Sequence, residues 1–199
     1  MPVDLLGLLE RFEAVADWET PVARFRTNVS AVAPLAYVGI VFRPARAGVV
    51  FDVDRELGLP GEVKEFFAVC NGARLFVGAL VVFGCVEENL EQDLRNVLVA
   101  LPFSIRDANR ELAPDRREQG MVAVGRYEVD GSVVCVDRAT GKVVCYAGRE
   151  GLRVRQVWAG FAHWLVSEVM RLSALHDKRG NLLVERGQLL PGYAAPAVN

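Results

Sequence analysis

Leu59-Pro60-Gly61-Glu62-Val63-Lys64-Glu65-Phe66-Phe67-Ala68-Val69-Cys70-Asn71-Gly72 reads as one short helix with both ends marked. Pro60 fits just ahead of the first turn, where a missing backbone N–H costs nothing. Val63, Phe66, Phe67 and Cys70 recur at i, i+3, i+4 and i+7, a single apolar stripe for burial. Asn71-Gly72 closes the segment, because glycine takes the left-handed conformation after a helix without a Cβ penalty and asparagine tolerates it next best.

Upstream, Leu5, Leu8, Leu9, Phe12, Val15 and Ala16 form a helical stripe, which Trp18 extends before Pro21 breaks the run. Tyr37 to Phe42 and Val49-Val50-Phe51 read as strands, separated by Arg43-Pro44-Ala45-Arg46. Downstream come two short strands bounded by glycine, Arg74 to Phe76 and Leu80 to Phe83. A second helical stripe uses Leu90, Leu94, Val97, Leu98 and Leu101 and stops at Pro102; Ile105 through Gln119 is polar, a loop or frayed helix. Met121 to Tyr127, Ser132 to Asp137 and Lys142 to Tyr146 form an antiparallel meander joined by Asp130-Gly131 and Ala139-Thr140-Gly141. These strands lack strict alternation, which predicts a sheet covered on both faces. A helix from about Val157 to Leu175 follows, with Trp158, Phe161, Leu165, Val169 and Leu172 inward. Beyond Asp177 the chain turns polar and then Gly/Pro/Ala-rich. The pattern predicts an α+β protein with a central, mainly antiparallel sheet and helices packed against it.

With 199 residues, 52% hydrophobic and 24% charged, the chain can bury a substantial core, and disorder is excluded. A net charge of −2 without a Lys/Arg cluster argues against nucleic-acid binding. Arg106, Arg110, Arg116 and Arg117 alternate with Asp107, Glu111, Asp115 and Glu118 and read as a mixed, solvated surface. Asp4, Glu10 and Glu13 stand where a signal peptide would be basic and then apolar. The longest uncharged apolar stretch, Val29 to Phe42, contains Pro34 and Gly39 and is too short for a membrane span. The cytoplasm is the expected location. Cys70, Cys85, Cys135 and Cys145 lack metal-ligand spacing and read as small core hydrophobes. A three-residue loop would set Cys135 opposite Cys145; a four-residue loop would not. No metal or cofactor is expected.

No nucleophile elbow, Walker loop or dinucleotide fingerprint is present. His163 lies beside Trp164 on a helix, and His176 sits at that helix's C-terminus, where an imidazolium suits the dipole. Asp130 is first a turn residue, and Asp137 orients the following turn through its own carboxylate. An enzyme would need several of Asp130, Asp137, His163 and Glu168 to converge in one deep pocket. Glu87, Glu88, Glu91 and Asp93 suit the start of a helix, and secondly a basic partner such as a nuclease toxin. Trp164 is either a contact anchor for a partner or a cap on the core edge.

Three stretches together resemble the SUKH superfamily, which includes a fungal cell-wall-synthesis regulator and many bacterial immunity proteins. The first is Leu57-Gly58-Leu59-Pro60 with Glu65-Phe66-Phe67 and Asn71-Gly72-Ala73. The second runs Gly125-Arg126-Tyr127, Asp130-Gly131-Ser132, Asp137 and Thr140-Gly141-Lys142-Val143. The third is Trp158, Phe161 and Trp164-Leu165. Family members carry a Glu-containing helix just before the Leu-Pro; here that place is held by Asp52-Val53-Asp54-Arg55-Glu56. The resemblance implies a SUKH-like domain over 51–176, an N-terminal helix and extension over 1–50 packed on it, and a peripheral tail over 177–199. It implies a protein that binds a partner without catalysis, as an immunity protein neutralising a cognate bacterial toxin. The alternative is an adaptor or regulatory module binding a housekeeping partner.

Overall fold

Among the described residues, nine strands pair in the order in which the chain makes them, each antiparallel to the one before. This computed structural model describes residues 3–10, 12, 16–19, 23–27, 37–86, 101–148 and 153–192. The strands are β1 (Ala16–Glu19), β2 (Ala23–Thr27), β3 (Tyr37–Phe42), β4 (Ala73–Leu75), β5 (Leu80–Val82), β6 (Met121–Tyr127), β7 (Val133–Asp137), β8 (Val143–Ala147) and β9 (Arg153–Trp158). A short α1 (Leu5–Leu8) precedes them. Helices α2 (Ala47–Leu57) and α3 (Gly61–Phe67) lie between β3 and β4 in sequence. Helices α4 (Ile105–Glu111) and α5 (Pro114–Glu118) lie between β5 and β6. The long helix α6 (Phe161–Ala174) follows β9, and a 3₁₀ turn covers Arg186–Leu189. The architecture is the predicted α+β, a central antiparallel sheet with helices packed against it.

The Leu59–Gly72 segment buries Val63, Phe66, Phe67 and Cys70 as its spacing requires. The helix itself stops at Phe67, and Asn71-Gly72 does a different job from a helix cap. The Asn71 side chain donates to Cys85 O at 2.8 Å and accepts from Cys85 N at 2.6 Å, so it pairs with the chain just past β5 as a strand would. Gly72 has φ +87°, and a Cβ there would lie 2.8 Å from Val82 O, so only glycine fits.

Several sequence expectations need correction. Val49-Val50-Phe51 belongs to α2, not to a strand. Val53 is fully buried and Val49, Val50 and Leu57 pack beside it, a helical period that overrides β-branched propensity. Gly58, at φ +63°, ends this helix with its N–H on Asp54 O. The place before Leu-Pro is thus a full helix, and a domain boundary at residue 50 would cut it. Among the described residues the N-terminal helix covers Leu5–Leu8. Ala16 and Trp18 lie in β1, where pairing with β2 (Trp18 opposite Phe25) decides their conformation. β1 to β3 belong to the same sheet as the later strands. Trp158 is the last residue of β9 and pairs with Val143; the closing helix begins three residues later at Phe161. Its first turn is capped from afar, with Glu62 Oε2 accepting from Phe161 N at 2.7 Å and Ala162 N at 3.3 Å. The segment after Asp177 is not simply peripheral, because Leu189 and Leu190 are buried.

Helix α6 covers one face of the sheet. Trp164 is 0% exposed and lies against Gly125 on β6, where a Cβ would come within 2.9 Å of the indole. The Tyr127 hydroxyl donates to Glu168 Oε2 at 2.8 Å, and Arg171 clasps the same carboxylate at 2.7 Å. Arg171 also donates to Gln188 O and Leu189 O, which holds the 3₁₀ turn on α6. Because successive strand residues point to opposite faces, Arg126 projects away from α6. It is aligned across strands with Arg74 and Val81 on one side and with Val133, Tyr146 and Val154 on the other.

Candidate functional site

Opposite α6, the sheet face is walled by α4 and α5. Ser104 starts α4 by accepting from Asp107 N, and Pro114 sits in the first turn of α5. Asn109 then fastens the wall to the sheet. It donates to Ile105 O at 2.8 Å and Ala123 O at 2.9 Å, and accepts from Ala123 N at 2.8 Å. β5 ends at Val82; Phe83 N still donates to Val124 O at 2.9 Å, and at Ala123 the Asn109 amide takes the place of the strand.

Between this wall and the turn after β6 runs a cleft of about 1120 Å³, with Phe83, Leu112, Val133 and Tyr146 among its apolar lining. Two aromatic rings are covered by guanidiniums. Phe103 lies between Arg74 at 4.4 Å and Arg126 at 4.1 Å, and Arg116 sits 4.2 Å from the centre of Tyr146. Burial pushes the Tyr146 phenol above its ordinary pKa, and the Arg116 charge opposes that shift. The carboxylates on the rim are Asp107, Glu111, Glu128 and Asp130. Glu128 pairs with Arg126 at 2.9 Å and Asp107 with Arg110 at 3.0 Å. Asp130 accepts from Ser132 N, Ser132 Oγ and Arg155 Nη2, which fixes the turn and its Gly131 at φ +76°.

Ile105 to Gln119 is therefore a structured wall rather than only a solvated surface: Arg116 stacks on Tyr146, and Arg106 pairs with Glu56 of α2 at 2.8 Å. Nothing in the local sequence announced this, since a stacking arginine and a solvated one have the same neighbours along the chain.

The carboxylates and histidine weighed for catalysis do not converge. Asp130 is on the cleft rim. Asp137 holds the β7–β8 turn, accepting from Ala139 N at 2.8 Å and Thr140 Oγ1 at 2.7 Å, bonds that keep its pKa low, with Gly141 at φ +72°. His163 is exposed on α6, and Glu168 is buried with Tyr127 and Arg171. Burial, and next the Glu168 charge, hold the Tyr127 phenol well above its usual pKa. His176 is buried at the end of α6, stacked on Phe76 at 5.0 Å with Nδ1 2.7 Å from Leu172 O. Of the residues read as partner-binding, Glu87, Glu88, Glu91 and Asp93 lie outside the described residues. Trp164 is a core residue, not a surface anchor.

The residues carrying the resemblance are structural. Leu59, Phe66, Trp158, Phe161 and Leu165 are buried, with Pro60 just ahead of α3. The Phe161 ring lies 5.2 Å from Phe66 and 5.4 Å from Trp164. The four cysteines are free and buried; Val144 stands opposite Cys135 and Val134 opposite Cys145, so the two thiols face opposite sides of the sheet. Among the described residues no cluster of His, Cys, Asp or Glu is placed to hold a metal ion, and no helix is long and apolar enough to cross a membrane. Compared with known protein families, curated proteins and solved structures, the chain matches none.

Proposed function

We propose that this chain is a SUKH-type protein-binding domain that acts without catalysis, as an immunity protein occluding a cognate bacterial toxin. The observation that carries this reading is that the stretches resembling the superfamily pack on one another. Glu62 beside the first caps the helix of the third, Phe66 meets Phe161, and Gly125 of the second receives Trp164. The cleft supports it too: most of its rim charges hold one another and the turns in place, as in a rigid docking surface, where electrostatic fit sets the speed of association.

The test is capture of the tagged chain with its partners from its native cells at mild salt, followed by titration of any toxin domain recovered. The reading requires one stoichiometric partner whose toxicity is blocked at equimolar inhibitor. A neighbouring toxin gene product that fails to bind would overturn it, and capture of housekeeping proteins instead would favour the adaptor.

A further inference from the structure

The sheet ends at β9. Among the described residues no strand lies beyond it, and no backbone–backbone hydrogen bond reaches Arg153–Trp158 other than from β8. The strand therefore presents its outer N–H and C=O groups unpaired. Native edges are commonly guarded by lysine, by proline or by a charge turned inward. β9 has no lysine and no proline. Arg155 sits where its pairing with β8 bulges, and its guanidinium is neutralised by Asp130 at 2.8 Å. Arg153, at the first position of the strand, is left as its one exposed charge.

The bulge also decides which side chains of β9 share a face. Val154 stands opposite Tyr146 and Val157 opposite Val144. Tyr146 and Val144 are two apart on β8, so both valines lie on the face turned away from α6. Val154 is 50% and Val157 47% exposed, although Tyr146 and Val144 beside them are buried. An open backbone edge next to two half-exposed valines has the form of a site for strand addition.

The order of residues along β9 selects the occupant. With a second copy of β9 laid antiparallel against the first and all six residues paired, each Val154 falls opposite a Val157. Arg153 then faces Trp158 and Arg155 faces Gln156, so no arginine meets an arginine. Directly opposed β-branched side chains on one face are a favourable pair, and like charges so placed are not. A slip of one residue in one direction sets Arg155 against Arg155. In the other it sets Val154 against Trp158, which belong to opposite faces of the sheet. The strand is thus complementary to itself in a single full-length register.

We propose that β9 pairs antiparallel with β9 of a second copy of this chain, about a two-fold axis normal to the sheet, joining two sheets into one. The pairing does not depend on the toxin reading. It sets the two clefts beside α4 and α5 on the same side of the joined sheet.

The test uses the full chain. Sedimentation between about 1 μM and about 1 mM should show the mass rising towards twice that of one chain. Val154→Lys and Val157→Lys, each at a half-exposed position, should hold the mass at one chain while keeping the parent's thermal transition. Disulfide trapping then reads the register. Residues directly opposite have Cβ atoms ~4.5–5.5 Å apart, whereas two copies of position 154, or of 157, lie roughly 10 Å apart along the strands. A mixture of Val154→Cys and Val157→Cys chains should therefore give the mixed disulfide several-fold over either like-with-like product. The four native thiols are buried and do not compete. If a lysine variant lowers the thermal transition, the cysteine pair decides alone. A single-chain mass throughout, a dimer indifferent to both folded lysine variants, or like-with-like disulfides in equal yield overturns the proposal.

Discussion

Asn109 carries a larger structural load than any other polar side chain of the cleft wall, and replacing it is the most direct test of how α4 is held. It is 5% exposed and makes three hydrogen bonds, two of them to the backbone of Ala123. Asn109→Ala leaves the Ala123 N–H and C=O facing an apolar gap on the free side of β6. An orphaned buried polar group costs about 1–3 kcal/mol, so two of them predict a loss of about 2–6 kcal/mol in urea unfolding. Asn109→Asp separates hydrogen bonding from packing. One oxygen still accepts from Ala123 N, but the other takes the place of an amide that donates to Ile105 O and Ala123 O, so a carboxylate would meet two carbonyl oxygens. The folded protein then favours the neutral acid, and the folded pKa rises above the unfolded value of ~3.9. Stability from a group with a raised folded pKa is present below the unfolded pKa and lost as pH rises through the folded one. The aspartate variant is therefore closest to the parent near pH 4 and falls away from it towards pH 7. Amide exchange in α4 should rise in both variants ahead of exchange in β7 and β8. A loss under about 0.5 kcal/mol for the alanine variant, or a pH-independent difference for the aspartate, would refute the strand-mimic account.

Glu168→Ala strands the Arg171 guanidinium beside Tyr127 and should cost about 3 kcal/mol. Because Arg171 also holds Gln188 O and Leu189 O, limited proteolysis should first appear near the 3₁₀ turn. Gly72→Ala places a methyl group 2.8 Å from Val82 O at φ +87° and should cost about 2 kcal/mol or more by thermal unfolding. Gly61→Ala, with open space around the added carbon, should leave the transition unchanged or slightly raised. Burial pushes the thiols of Cys70, Cys85, Cys135 and Cys145 up to about 12. A thiol reagent at pH 8 should therefore label the native protein slowly and all four sites promptly in denaturant; one fast native site would contradict their burial.

The fold was legible where period and punctuation agreed. The meander from Met121 to Tyr146 follows its Val- and Cys-rich runs and its Asp-Gly and Thr-Gly turns almost residue for residue, and the stripe of Val63, Phe66, Phe67 and Cys70 is buried as spaced. It was illegible where tertiary pairing decides. Ala16 to Glu19 joins a helical-looking stripe in sequence but is placed by β2. Val49 to Phe51 looks extended until Val53 and Leu57 are counted with it. Arg153 to Trp158 was missed because the tryptophan also fitted the helix that follows. The cleft was harder still. Its aromatic–guanidinium stacks join residues far apart in sequence, and its wall is fastened in part by an asparagine with no motif around it.

The strictly sequential pairing of the sheet has a consequence for how the molecule is made. Every strand finds its neighbour in the stretch of chain just synthesised, so the sheet can grow by accretion from β1 to β9 without waiting for distant partners. Contacts of much longer range reach the closing helix, among them the clasp of Glu62 on the start of α6, which joins residues 99 and 100 positions apart. α3 must wait with its carboxylate unclaimed until the final helix arrives, so the last α-helix made also closes the core over the sheet laid down before it.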